Sequence, residues 1–165
     1  MSRLVVVCGP AGAGKSTYAR KLAADTGACL LDSDTVTEPV VRAGMAMAGL
    51  DPDDRDSPEY RGVFRDPVYE CLFAVAEENL PSCDVILVGP FTSEIRHPEW
   101  PERLRERFGV EVEVIYLWAD DRERHRRIEA RGNPRDASKL ADWEGYLAQS
   151  PSSRPAFPHR FIGFS

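Results

Sequence analysis

The sequence lacks the features that typify membrane, secreted and metal-finger proteins. No apolar run approaches the roughly 20 residues that a membrane-spanning helix needs, and the N-terminal run leads into glycines and is better explained as a buried strand. The four cysteines have no CxxC or zinc-finger spacing, and the three histidines no ligand spacing. We therefore expect all four cysteines to be reduced and buried, in a cytoplasmic protein. The formal net charge of −6 gives no overall attraction to nucleic acid or to an anionic membrane, although a local basic patch stays open.

The sequence contains a regular alternation of apolar β-type runs and segments of helical periodicity. The runs cover 4–8, 29–31, 85–88 and 112–118, and a short run, FIGF, follows near the end. Strands separated by helices predict a parallel sheet with right-handed crossovers. A chain of 165 residues fits one core, so we expect one α/β domain over 1–165. An insertion at about 35–81 is expected to hold two helices.

A glycine-rich segment, GPAGAGKS, stands between the first strand-like run and the first helical segment. It matches the pattern G-x-x-x-x-G-K-[ST] in full, in the strand–loop–helix context that this pattern requires. Glycines allow backbone N–H groups to surround a phosphate chain, and the helix N-terminus favours the same anion. The predicted ATP-binding residues are Gly9, Ala11, Gly12, Ala13, Gly14, Lys15, Ser16 and Thr17, together with Arg127 farther along the chain. Lys15 would neutralise phosphate charge and Ser16 would bind Mg²⁺.

The rest of the sequence distinguishes among the classes of protein that contain such a loop. A Ras-like switch needs a guanine-reading N-K-x-D segment, which the chain lacks. Motor and AAA-type machines are usually larger, and often have an acidic residue after the strand that ends here in Gly89-Pro90. A small P-loop kinase remains, with a five-stranded parallel sheet flanked by helices in a three-layer sandwich like that of the nucleoside monophosphate kinases.

Two carboxylates follow the second strand in the segment LDSD. Asp32 and Asp34 would lie at the carboxyl edge of the sheet, where open α/β folds bind ligands. One could accept the proton of an attacking hydroxyl, and the other could hold Mg²⁺. The same residues also fit a helix N-cap.

A basic segment follows the fourth strand, and its arginines share one helix face. Arg124, Arg127 and Arg131 have the spacing i, i+3, i+7. Arginines that move over the transferring phosphoryl group would stabilise its charge, and Gly132-Asn133-Pro134 would serve as a hinge. A solvated helix face is the plainer interpretation, and a nucleic-acid patch is a third.

The order of GPAGAGKST, LDSD and the arginine helix resembles that of the small P-loop kinases related to shikimate and gluconate kinases. Chloramphenicol phosphotransferase, zeta-toxin and polynucleotide 5′-kinases look similar, and RIEARGNPRDASKL is similar to a segment of proteins described as AAA family ATPases. The resemblance implies that Asp34 is the base, with Asp32 its rival, and that a lid at about 120–137 supplies Arg124, Arg127 and Arg131 to catalysis together with Lys15. Many relatives have an acidic residue at the position that Gly89 occupies in this chain. The resemblance therefore leaves Ser16 and Asp32 as the expected Mg²⁺ ligands.

The insertion occupies the place where such kinases bind the phosphoryl acceptor. The candidate acceptor-binding residues are Asp34, Arg42, Tyr60, Arg61, Phe91, Thr92 and Glu94. Their mixed charge favours a polar small molecule such as a sugar, an amino-acid derivative or an antibiotic. We therefore expect a Mg²⁺- and ATP-dependent kinase acting on a small-molecule hydroxyl. A polynucleotide 5′-hydroxyl kinase and an ATP-binding regulatory protein with slow ATPase activity are the alternatives.

Overall fold

The computed structural model describes residues 1–149 and 153–164, which form a single five-stranded sheet with helices on both faces. The strands are β1 (Arg3–Cys8), β2 (Cys29–Asp32), β3 (Val85–Val88), β4 (Glu111–Ala119) and β5 (Arg160–Phe164). Their order in the sheet is β2-β3-β1-β4-β5, and every neighbouring pair is parallel. The predicted α/β fold with five parallel strands is confirmed.

Helices connect the strands and cover the two faces of the sheet. They are α1 (Lys15–Thr26), α2 (Ser33–Met47), α3 (Pro58–Val63), α4 (Arg65–Asn79), α5 (Trp100–Phe108), α6 (Asp121–Arg131), α7 (Ala137–Ala141) and α8 (Trp143–Gln149), with short 3-10 helices at Glu94–Arg96 and Pro134–Asp136. None of the helices in the two described ranges has the length and apolarity required to cross a membrane.

The core lies on both faces of the central strand β1, which explains its continuous apolar sequence. Leu4, Val6 and Cys8 pack into the cluster that includes residues of α2, α4 and α5. Val5 and Val7 pack on the other face, against α1. Alternate residues of one strand thus belong to two separate apolar layers.

The insertion contains three helices instead of the two that the sequence predicts. Helix α2 starts directly after β2, because the side chain of Asp32 caps it by accepting a hydrogen bond from the N–H of Asp34. Helix α3 starts at Pro58, and the preceding Ser57 caps it. Both starts depend on a single capping residue, and the short α3 has too few residues for an apolar period to be visible.

Candidate active site

The phosphate-loop segment Gly9–Ser16 connects β1 to α1 at the carboxyl edge of the sheet. Helix α6 packs directly against it: a Cβ at Gly12 would lie 2.8 Å from the backbone oxygen of Arg124. Gly12 also has a φ of +78°, which side-chain-bearing residues rarely adopt. Ala13 of this segment is buried in the core. Thr17, which follows the segment in the first turn of α1, is exposed. All predicted ATP-binding residues of this segment therefore lie at one corner of the fold.

The ammonium group of Lys15 lies against the loop that precedes it. Its Nζ donates a hydrogen bond to the carbonyl oxygen of Pro10 at 2.9 Å. Burial at the loop lowers the pKa of Lys15 to about 8, while the negative charges of Asp34 and Asp32 oppose this shift. A phosphate bound at the loop would favour the charged ammonium in the same way as these carboxylates.

Ser16 and Asp32 form a pair of oxygen ligands that fits a Mg²⁺ ion. The Ser16 hydroxyl donates a hydrogen bond to Oδ2 of Asp32 at 2.5 Å. Magnesium is typically held by one or two such protein oxygens together with substrate phosphates and waters. Among residues 1–149 and 153–164 there is no cluster of three or more His, Cys, Asp and Glu side chains that could hold a metal by itself. Ligation by Ser16 and Asp32 therefore stays a prediction.

Asp34 lies in the first turn of α2 and near the phosphate loop. Its charge influences the pKa of Lys15, and its side chain is 66% exposed. Arg135 donates a hydrogen bond from Nη2 to Oδ1 of Asp34 at 3.1 Å and another from Nη1 to Oε2 of Glu38 at 3.0 Å. Asp34 thus lies between the loop and the segment that follows α6.

The three arginines of α6 occupy three different environments. Arg124 is fully buried, and its Nε donates a hydrogen bond to the carbonyl oxygen of Ala11 at 2.8 Å. Its Nη1 pairs with Asp121, and its Nη2 has no hydrogen-bond partner among the residues described. In this conformation the buried side chain of Arg124 is bound to the backbone of the phosphate loop. Its predicted catalytic role therefore stays a prediction.

Arg127 and Arg131 lie farther along the same helix. Arg127 pairs with Glu123 at 2.6 Å, and its Nη1 is 3.5 Å from the carbonyl oxygen of Gly12. The guanidinium of Arg131 pairs through two hydrogen bonds, of 2.6 and 2.7 Å, with the buried carboxylate of Asp136. Its charge also reaches Lys15 and lowers the pKa of that residue. Both arginines are therefore close to the loop, but their roles in transfer stay predictions.

Each candidate acceptor residue of the insertion is engaged with a neighbouring side chain of the insertion. Arg42 pairs with Asp53 at 2.6 Å, and Arg61 lies 3.7 Å from Asp56. Tyr60 is half-buried, and its ring lies under the guanidinium of Arg55. Because every cation here has an acidic partner, acceptor binding by these side chains stays a prediction.

The candidate acceptor residues after β3 are divided between the core and the surface. The Phe91 ring is fully buried and stacks on Tyr69 at 4.5 Å, so contact with an acceptor would require it to leave this aromatic cluster. Thr92 is exposed, and Glu94 pairs with Arg65 at 2.7 Å. A Cβ at Gly89 would lie 3.1 and 3.2 Å from the rings of Phe91 and Tyr69, so a side chain at this position would require these rings to shift.

The site residues predicted from the sequence include neither Arg135, which binds Asp34, nor Glu38, which binds Arg135. Glu38 contacts Arg135, Arg55 and Arg42. Its position four residues after Asp34 is a signal that could have revealed it, because residues at i and i+4 share a helix face. Arg135 had only its position just after the Gly-Asn-Pro hinge to distinguish it.

Most of the chain matches a known family of sequences. The model of an AAA domain family matches residues 4–150. The cytidylate kinase of Paramagnetospirillum magneticum is 46% identical over 54 residues, which are 33% of this chain and 25% of that protein. The match thus spans only about a quarter of the length of the curated relative.

Solved structures resemble the whole fold at low sequence identity. A candidate kinase from Chloroflexus aurantiacus has a TM-score of 0.72 and 19% identity, over 98% of this chain and 86% of that one. A sugar kinase from Janibacter sp. has a TM-score of 0.61 and 20% identity, over 99% and 85%. These similarities show that the chain has the P-loop kinase fold.

Proposed function

The chain belongs to the AAA domain family, and from its fold and site we propose that it transfers the γ-phosphoryl group of ATP to a hydroxyl of a small molecule. The observation that supports this best is the link between LDSD and the phosphate loop. Asp32 binds the hydroxyl of Ser16, and two residues later Asp34 lies close enough to Lys15 to influence its pKa. The groups proposed for phosphate binding and for proton removal thus come from the same carboxyl edge of the sheet.

In this proposal Lys15 and the loop amides bind the β- and γ-phosphates, and Ser16 and Asp32 hold Mg²⁺. Bound Mg²⁺ supplies positive charge that offsets the charge of the phosphates. The carboxylate of Asp34 accepts the proton of the acceptor hydroxyl, and the oxygen forms a bond to the γ-phosphorus. The bond from that phosphorus to the bridging oxygen breaks, and ADP leaves with the electron pair.

The experiment is incubation of the purified chain with Mg²⁺, ATP and a metabolite library, followed by mass spectrometry. We expect a phosphorylated alcohol, and we expect Asp34→Asn to lower turnover by at least about 100-fold, the usual minimum for loss of a general base. ATP affinity, measured by calorimetry, should change far less than turnover in this variant, because Asp34 is not part of the loop and acts on Lys15 only through its charge. Intact ATP binding without any phosphorylated product would contradict the proposal.

A second candidate is transfer to a phosphate group of a nucleotide, and the segment shared with a cytidylate kinase favours it. The library should therefore contain CMP and other nucleoside monophosphates, together with an oligonucleotide that has a free 5′-hydroxyl. The Asp34→Asn variant separates the two classes of acceptor. A phosphate oxygen carries no proton at neutral pH that a base must remove, so transfer to CMP should tolerate this change far better than transfer to an alcohol.

A further inference from the structure

A single arginine connects the segment after α6 to the carboxylate proposed as the base. Arg135 lies in the 3-10 helix Pro134–Asp136, just after Gly132. Its Nη2 donates to Asp34 at 3.1 Å and its Nη1 to Glu38 at 3.0 Å. The two carboxylates are one turn apart on α2, so a planar guanidinium can bind both at once. Asp34 is therefore already occupied by a cation from another part of the chain.

The surrounding contacts hold Arg135 in this place. Arg55 is buried and donates from Nη2 to both carboxylate oxygens of Glu38, each at 3.0 Å. A second link runs in parallel, because Lys139 of α7 pairs with Asp56 of the insertion at 2.9 Å. The segment that carries Arg135 is thus attached to the insertion at two points.

The contact between Arg135 and Asp34 leaves part of the guanidinium unused. Its Nε is buried and has no hydrogen-bond partner among residues 1–149 and 153–164. Asp34 itself stays 66% exposed, whereas Arg135 is only 18% exposed. A buried donor without a partner is unfavourable. The hydrogen-bonding capacity of Arg135 is therefore not fully used in this arrangement, which favours exchange of its contact with Asp34 for other contacts.

We propose that Arg135 is a positioning residue that occupies Asp34 while no acceptor is bound, and thereby suppresses transfer of the phosphoryl group to water. This inference rests on the proposed function. In the suppressed reaction water would replace the acceptor: its proton passes to Asp34, its oxygen bonds to the γ-phosphorus, and ADP and inorganic phosphate leave. An acceptor that displaces Arg135 from Asp34 releases the carboxylate for the productive reaction.

The test needs no knowledge of the acceptor. Release of inorganic phosphate from Mg²⁺-ATP is measured for the full chain in buffer without any acceptor. We expect Arg135→Gln to raise the rate at least about tenfold, the lower range of what a hydrogen bond to a charged group contributes. The double variant Arg135→Gln with Asp34→Asn should lose this increase, because the gain requires the released carboxylate. A merely structural role of Arg135 would not make the increase depend on Asp34.

Two further variants make the outcome specific. Arg135→Lys keeps the charge but cannot bind both carboxylates in a fork, so its rate should lie between those of the wild type and Arg135→Gln. This variant also serves if Arg135→Gln does not fold. Arg126→Gln is the matched control, because Arg126 is 67% exposed and, within the described part of the chain, pairs only with Glu123 on the same helix; its rate should equal that of the wild type.

The results separate this inference from the proposed function. Unchanged or lower phosphate release by the folded Arg135 variants, at wild-type ATP affinity, would overturn the inference alone. An increase that persists without the Asp34 carboxylate would overturn it as well. Absence of ATP binding by the wild-type chain would instead contradict the proposed function on which the inference rests.

Discussion

At the scale of single residues, Asp32 combines three structural tasks. It ends β2, caps α2 through the N–H of Asp34, and accepts the hydrogen bond of Ser16. The cap requires only a side-chain oxygen, whereas metal binding benefits from a negative charge. These two tasks can therefore be separated by substitution.

Asp32→Asn and Asp32→Ala form a matched pair of variants for this purpose. Asparagine caps helices as well as aspartate does, so Asp32→Asn should keep the free energy of unfolding, whereas Asp32→Ala should lower it by about 1 kcal/mol. Both should require more Mg²⁺ for ATP binding, by about tenfold, if Asp32 acts as or beside a metal ligand. Urea denaturation and calorimetric titration at several Mg²⁺ concentrations measure the two effects. An unchanged Mg²⁺ requirement in both variants would remove Asp32 from the metal site.

At the scale of elements, the contact between α6 and the phosphate loop shapes the site. Gly12→Ala would place a Cβ 2.8 Å from the backbone oxygen of Arg124, and neither backbone can yield easily. Gly27→Ala is the control, because Gly27 has a similar φ of +73° and nothing lies within 4 Å of its added Cβ. Both variants carry the strain of the left-handed conformation, about 1 kcal/mol. We expect Gly12→Ala to cost about 1–3 kcal/mol more through overpacking, and to weaken ATP binding as well.

Denaturation curves and ATP titrations of these two variants measure the contact directly. Equal stability losses for Gly12→Ala and Gly27→Ala would mean that α6 can move away from the loop without cost. A loss of ATP affinity confined to Gly12→Ala would show that the helix determines the shape of the loop.

The elements differ in how far the sequence determines them. Strands β1 and β3, and β4 from Val114 onward, could be predicted because apolar residues buried on both faces form unbroken runs. The phosphate loop could be predicted because its residues are contiguous and its glycines are required by backbone geometry. The contact between Arg135 and Asp34 could not be predicted, since the residues are 101 positions apart. No local sequence pattern links two positions at that distance. The strand order likewise depends on pairings distant in sequence.

In the whole molecule, Glu38 is the point where the insertion and the segment after α6 are held together. Its carboxylate pairs with Arg55 and Arg135, whose side chains are 7% and 18% exposed. Glu38→Gln should lower the free energy of unfolding by about 2 kcal/mol, because charge-assisted hydrogen bonds to nearly buried cations are weakened. Glu99→Gln is the control, since Glu99 and its partner Arg103 are 47% and 66% exposed. It should change stability by less than about 0.5 kcal/mol.

Chemical denaturation of both variants at low and high salt measures this difference. The effect of Glu38→Gln should persist at high salt, because nearly buried pairs are screened less than exposed ones. A change as small as that of the exposed control would mean that solvent replaces Glu38 readily and that the attachment of the two segments is weak.

The aromatic ring of Trp143 gives the molecule an optical signal beside α6. This ring lies 5.5 Å from the guanidinium of Arg124 and 5.1 Å from the ring of His125, whereas Trp100 belongs to the core and Trp118 packs against it. Indole emission responds to neighbouring cations and to solvent, so displacement of α8 would alter the fluorescence of Trp143. Rapid mixing with nucleotide would then test in real time whether α8 moves, without an attached dye and before any acceptor is known.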